Sequence, residues 1–173
     1  MKINLKQDRQ AIVKHLKQRI RDYPVYVNQG PGADEDPITQ ITLGYSVAQA
    51  GWIALVFDTR PGAEPDGEWN SYIEENMLEF PQWSEAVDAL WDNDEPIQLT
   101  LPDGSKQNLG EDEGEPVEQI GAMLKDILLQ AREDNLFAGL PIARKNLMGV
   151  EDTEGAYGWP DYDNRFKQGW IIK

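Results

Sequence analysis

The chain has 173 residues, no cysteine and one histidine, and its 31 acidic and 16 basic residues give a net charge of −15 at pH 7. This length suits one domain, and the lack of cysteine excludes disulfides, thiol catalysis and cysteine-ligated metal centres. No apolar run approaches the roughly 20 residues that a membrane-spanning helix needs. The first residues also lack the apolar stretch of a secretory signal, so we expect a cytoplasmic protein that does not bind membranes.

The first 23 residues predict a basic amphipathic helix. They carry seven bases and two acids, whereas the other 150 residues carry 9 bases and 29 acids. Pro24 ends the pattern because proline disfavours a helical conformation in the residue before it. We expect the bases to face the acidic body and the apolar stripe to pack on the core, the alternative being a cationic helix on a membrane or a partner. The stripe consists of Leu5, Ile12, Leu16, Ile20 and Tyr23.

Two strands are predicted over residues 38–47 and 52–58, joined by a hairpin-length link. Apolar residues largely alternate in the first, which is typical of a half-exposed strand. The second is continuously apolar from Trp52 to Phe57, which is typical of a buried central strand. A short strand at residues 25–27 precedes both.

Helices are predicted on either side of Phe80-Pro81. The first has Trp69, Tyr72, Ile73 and Met77 on one face and ends there. The second begins at Pro81, and its apolar residues are Trp83, Val87, Leu90 and Trp91.

A hairpin over residues 97–109 is predicted by strict alternation before the turn at Asp103-Gly104. Residues 116–135 form the best amphipathic helix pattern of the chain, and the remainder from Leu136 reads as loop-rich and aromatic. Because strands and helices occur in runs rather than in strict alternation, the pattern predicts one α+β domain over residues 1–173. Its sheet is expected to be mainly antiparallel, with flanking helices.

Most catalytic chemistries lack the residues they need. The residues around Ser46 partly match the motif of a nucleophile elbow, but they lie within a predicted strand. The one histidine that could act as a base for Ser46 is His15. The acidic runs lack the glycine and the late glutamate of calcium loops, and no phosphate-binding loop is present. We therefore predict no catalytic residue, no metal and no cofactor. The alternative is a carboxylate-dependent hydrolase, in which Glu75 and Glu79 are adjacent on one helix face.

The C-terminal segment interleaves aromatic and acidic residues, a composition that favours a basic partner because tyrosine and tryptophan are common in binding hot spots. The alternative is that its rings cap the core. An acidic loop supplies a second patch. The predicted contact residues are Tyr157, Trp159, Asp161, Tyr162 and Asp163, with Asp34, Glu35 and Asp36 in the second patch.

The order of elements resembles that of small acidic bacterial proteins of uncharacterised families, some of them associated with toxin–immunity loci. The opening helix, the strand pair around Gly51-Trp52, the long helix to Asn135, and residues 136–141 leading to 155–160 carry this resemblance. It implies a stoichiometric binding role without catalytic residues. We therefore predict a non-catalytic binding module for a basic protein, with nucleic acid repelled. The structural subunit of a larger assembly is a further alternative, and the oligomeric state stays open.

Overall fold

The computed structural model describes residues 1–23, 37–59, 76–110, 116–153 and 158–159. Within these ranges the chain forms three helices and two sheets, with elements numbered in chain order. The predicted α+β fold is confirmed. Both sheets are mixed rather than purely antiparallel, since each contains one parallel pairing among its described strands.

The larger sheet has the strand order β4-β3-β2-β7-β8. Its centre is the predicted hairpin, in which β2 (Ile38–Ser46) pairs antiparallel with β3 (Trp52–Asp58). On its other side β2 pairs in parallel with β7 (Ile142–Asp152). The edges are the two-residue strands β4 (Leu78–Glu79) and β8 (Gly158–Trp159).

The smaller sheet has the order β1-β5-β6. Strand β1 (Lys2–Asn4) pairs in parallel with β5 (Ile97–Thr100), which forms the predicted hairpin with β6 (Lys106–Leu109). This parallel pairing brings the start of the chain beside the middle of the sequence.

Three helices pack on the core through the stripes that their sequences predict. Helix α1 (Leu5–Arg21) begins where the Asn4 side chain accepts a hydrogen bond from the Gln7 amide at 3.1 Å, which satisfies one of the free donors of the first turn. Helix α2 (Pro81–Asn93) begins at a proline, which tolerates the first helical position because it has no N–H to satisfy. Helix α3 (Val117–Glu133) is tied to β2 by the Tyr45 hydroxyl, which donates to the Val117 carbonyl at 2.9 Å.

The prediction that the first strand is half exposed is wrong. Nearly all of β2 is buried, including the polar Gln40, Thr42 and Ser46 that alternate with its apolar residues. The strand has neighbours on both sides, and both of its faces are covered. Alternation in this strand marks two faces of different polarity rather than one face in water.

The prediction of a loop-rich chain from Leu136 onward is also wrong, because β7 is the longest strand of the larger sheet. Its first half departs from regular pairing: Ile38 pairs with Ile142, but Gln40 pairs with Leu147. The extra residues bulge out of the ladder, and the Asn146 side chain donates to the Ala143 carbonyl at 2.9 Å within the bulge. This polar, irregular start hides the strand in the sequence.

The bases of α1 make few ion pairs within the part of the chain that the structure describes, although the Lys6 side chain lies near the turn at Asp103-Gly104. Lys14, Lys17 and Arg21 are exposed and have no carboxylate within ion-pair distance there. Arg19 instead lies 3.8 Å from Asp22, which is on the same helical turn. The apolar stripe does pack on the core, as predicted.

Candidate protein-binding surface

Of the eight predicted contact residues, one lies among the residues that the structure describes. Trp159 lies on β8, where its backbone pairs with Val150. The other seven lie outside the described residues: Tyr157, Asp161, Tyr162, Asp163, Asp34, Glu35 and Asp36. The predicted pair of carboxylates on one helix face is wrong, because Glu79 lies on β4 and not on a helix, while Glu75 is outside the described residues.

Helix α2 lies in the most one-sidedly charged part of the sequence. From residue 61 to residue 105 the chain has twelve acidic residues and no lysine, arginine or histidine. The helix turns Trp83, Val87 and Leu90 toward the core. Its exposed residues include Glu85, Asp88, Trp91 and Asp92, which we name the acidic–aromatic face.

Trp91 is the unexpected member of this face. Its side chain is 56% exposed, whereas Trp83 on the same helix is 0% exposed. The sequence prediction placed both on the apolar side and is wrong for Trp91. The spacing 83, 87 and 90 continues to position 94, so position 91 lies beside the core stripe and one turn after Asp88.

The end of α2 extends the acidic–aromatic face. Asp94 adopts a left-handed conformation with φ of 53°, which ends the helix, and its side chain is exposed. The next residue, Glu95, lies 4.0 Å from the N-terminal ammonium group, which donates to the Pro96 carbonyl at 3.0 Å. The Glu95 carboxylate, at the end of the acidic–aromatic face, therefore lies beside the N-terminal ammonium group of the same chain.

The first turn of α2 is fixed by a buried polar contact with α1. The Trp83 indole N–H donates to one Asp8 oxygen at 2.9 Å, and the Gln82 amide donates to the other at 3.3 Å. Burial raises the pKa of Asp8, although both hydrogen bonds act in the opposite direction. The Trp83 ring stacks on Phe80 with centroids 4.4 Å apart. These contacts hold α2 in place, so its outer face is presented on a rigid element.

His15 and Ser46 have structural roles in this fold. The imidazole Nε2 of His15 donates to the Asn76 carbonyl at 2.9 Å, and the Asn76 amide in turn donates to the Leu55 carbonyl on β3. Burial lowers the pKa of His15, and the charge of Arg19 acts in the same direction while the hydrogen bond opposes it. The Ser46 hydroxyl accepts from the Gln49 amide in the hairpin turn. Each is thus committed to a backbone contact in a different part of the fold.

Within the described ranges, no three acidic or histidine side chains are grouped closely enough to hold a metal ion. No helix among those residues is long and apolar enough to cross a membrane. Comparisons with protein-family models, with curated proteins and with solved structures found no match for this chain. The acidic–aromatic face is therefore interpreted from its own chemistry.

Proposed function

We propose that the protein is a non-catalytic, immunity-like binding module that engages a basic protein partner in the cytoplasm, with α2 as its docking element. The observation that carries this proposal is the exposure of Trp91, at 56%, on a helix face whose other members are all acids. The first turn of α2 is anchored by Asp8, so the face requires no rearrangement to bind.

Charge and aromatic surface contribute differently to such binding. The net charge of −15 attracts a basic protein and raises the rate of encounter, an effect that salt weakens. Tryptophan buries a large area at little conformational cost, which makes it a frequent hot spot. The acids thus select and steer the partner, and Trp91 stabilises the complex once it has formed.

The same charge disfavours other partners. Phosphate backbones and anionic membranes are repelled by a face that carries no base. Glu85, Asp88 and Asp92 have no lysine or arginine within ion-pair distance among the described residues, so their charge is not cancelled locally. The exposed position of Glu79 on β4 favours this proposal over the paired-carboxylate hydrolase.

The test begins with capture of basic proteins from the source lysate at low and high salt, and continues with each captured protein in purified form. We expect one of them to bind in a one-to-one complex and to lose its own activity in proportion to the complex formed. The variant Asp88→Lys/Asp92→Lys should abolish binding. The matched control is Asp126→Lys, which reverses an exposed acid on α3 and should bind almost as well as the wild type.

Two results would overturn the proposal. One is that no purified basic protein binds the wild-type chain at low salt. The other is that binding persists unchanged in Asp88→Lys/Asp92→Lys, since the docking element would then lie elsewhere. Light scattering of the protein alone tests the structural-subunit alternative, which requires mass to increase with concentration.

A further inference from the structure

Trp91 and Asp88 lie three residues apart on α2. The segment around them, from residue 61 to residue 105, contains no lysine, arginine or histidine. Residues three apart on a helix have Cβ atoms about 5–6 Å apart, so the indole and the carboxylate are neighbours on the surface. Trp91 and Met1 are the two large apolar side chains exposed within the described ranges. The N-terminal ammonium lies beside Glu95 and Pro96, beyond the end of the helix.

This pairing of groups selects a particular kind of cation. The face of an indole ring attracts a positive charge, and a carboxylate next to it accepts hydrogen bonds from the same group. A guanidinium is planar and weakly hydrated, so it can stack on the ring while its N–H groups reach the carboxylate. A lysine ammonium is compact and strongly hydrated, so it gains less from the ring.

Resting on the proposed function, we propose that Trp91 receives an arginine side chain of the basic partner, whose guanidinium stacks on the indole and donates hydrogen bonds to the Asp88 carboxylate. Asp92, one helical turn after Asp88, and Asp94, at the end of the helix, add negative charge near this cation. The complementarity of an exposed ring among acids with a planar cation argues for this occupant.

Other occupants of the same face have less support. An anionic membrane and a nucleic acid are repelled by Glu85, Asp88 and Asp92. A second copy of this chain offers its own exposed bases on α1, namely Lys14, Lys17 and Arg21. Two copies with a charge of −15 each repel one another overall, so this occupant is an outcome of the test.

The experiment uses two capped peptides that are identical except that one has arginine wherever the other has lysine. Both are titrated into the full chain by calorimetry at low salt. We expect the arginine peptide to bind about three- to fivefold tighter, which corresponds to a cation–π contact at an exposed site. Trp91→Leu keeps an apolar side chain without the ring, and it should remove this preference while leaving salt-dependent binding of both peptides.

Two further variants locate the carboxylate. Asp88→Asn should weaken the arginine peptide more than the lysine peptide, because the guanidinium loses its charged acceptor. The control Asp126→Asn removes one charge from α3 and should weaken both peptides equally and slightly. Since Trp91, Asp88 and Asp126 are all exposed, each of the three variants should keep the circular dichroism spectrum of the wild type.

The failures of the two proposals are distinguishable. If both peptides bind equally and Trp91→Leu changes nothing, the arginine site is overturned while the basic-partner function stands. If neither peptide binds at low salt, both proposals fail. If light scattering shows dimers that Trp91→Leu dissociates, the occupant is a second copy and the arginine site of a foreign partner is overturned.

Discussion

The two ends of α2 use the same residue type for opposite purposes. At the first turn, Trp83 is completely buried, stacks on Phe80 and donates to Asp8. Two turns later, Trp91 is more than half exposed among carboxylates. The difference shows that the role of a tryptophan depends on its angular position on the helix. A shift of one residue from the core stripe is enough to move an indole from the interior to the surface.

Removal of the buried ring should have the largest effect. Trp83→Ala leaves a cavity beside Phe80 and removes the N–H donor of the buried Asp8, so we expect the free energy of unfolding to fall by about 3–5 kcal/mol. Urea denaturation measures this change. Trp83→Phe keeps a ring for stacking and should cost clearly less; an equal loss in both variants would mean that packing at this position contributes little.

The next effect concerns the loop beneath the same turn. Gly51 has φ of 57°, its carbonyl accepts from the Phe80 amide at 2.5 Å, and an added Cβ would overlap the Phe80 carbonyl oxygen. Gly51→Ala should therefore destabilise the protein by about 1–3 kcal/mol. Gly139→Ala is the matched control, because Gly139 has φ of 93° but nothing near the added atom. A similar loss in both variants would show that backbone strain alone accounts for the effect.

Asp8 makes the stability of the contact at the first turn of α2 depend on pH. Because burial raises its pKa above the ordinary 3.8, the folded state binds this proton more tightly than the unfolded chain does. The contribution to stability is thus full below the unfolded value and is lost as the pH rises through the folded pKa. We expect Asp8→Asn to be more stable than the wild type at neutral pH, with the difference shrinking in acid.

Denaturation at a series of pH values checks this sign. The matched control is Asp126→Asn, which removes an exposed carboxylate from α3 and should change the free energy of unfolding at neutral pH by less than about 0.5 kcal/mol. A neutral-pH loss of stability in Asp8→Asn would mean that the charged hydrogen bonds from Trp83 and Gln82 outweigh the cost of burial.

The smallest effect on stability is expected at Trp91. Trp91→Leu removes no described core contact, so its free energy of unfolding should stay within about 0.5 kcal/mol of the wild type. Thermal unfolding measures this directly. A larger loss would show that the indole is a structural group and would remove the contrast with Trp83.

Local patterns allowed much of the fold to be predicted. The stripe from Leu5 to Ile20 located α1, and Asp103-Gly104 located the hairpin of the smaller sheet. Strand β7 escaped because its pairing with β2 joins distant segments and begins with a bulge around Asn146. The local spacing of apolar residues carries no information about a pairing strand so far away in the sequence.

The exposure of Trp91 could have been predicted from the sequence, but the apolar pattern of α2 assigns this residue to the core. Residue type places Trp91 with the apolar residues of its helix, although its angular position matches that of Asp88 better than that of Leu90. Its exposure of 56% depends on which side the core covers, and the stripe 83, 87 and 90 already defines that side. The hydrogen bonds of Asp8 could not be predicted from local sequence patterns, because they join two helices that are separated in the sequence by the β2–β3 hairpin.

Both parallel pairings have a consequence for how the chain reaches this structure. Ile3 pairs with Leu99, and Ile38 pairs with Ile142, so each sheet is completed only by a segment about a hundred residues further along. During synthesis the β2–β3 hairpin can form early. The other edge of β2 keeps its backbone donors and acceptors unpaired until β7 has been synthesised. Folding should therefore be slow for a chain of this length. The large negative charge would then keep the waiting edges of neighbouring nascent chains apart.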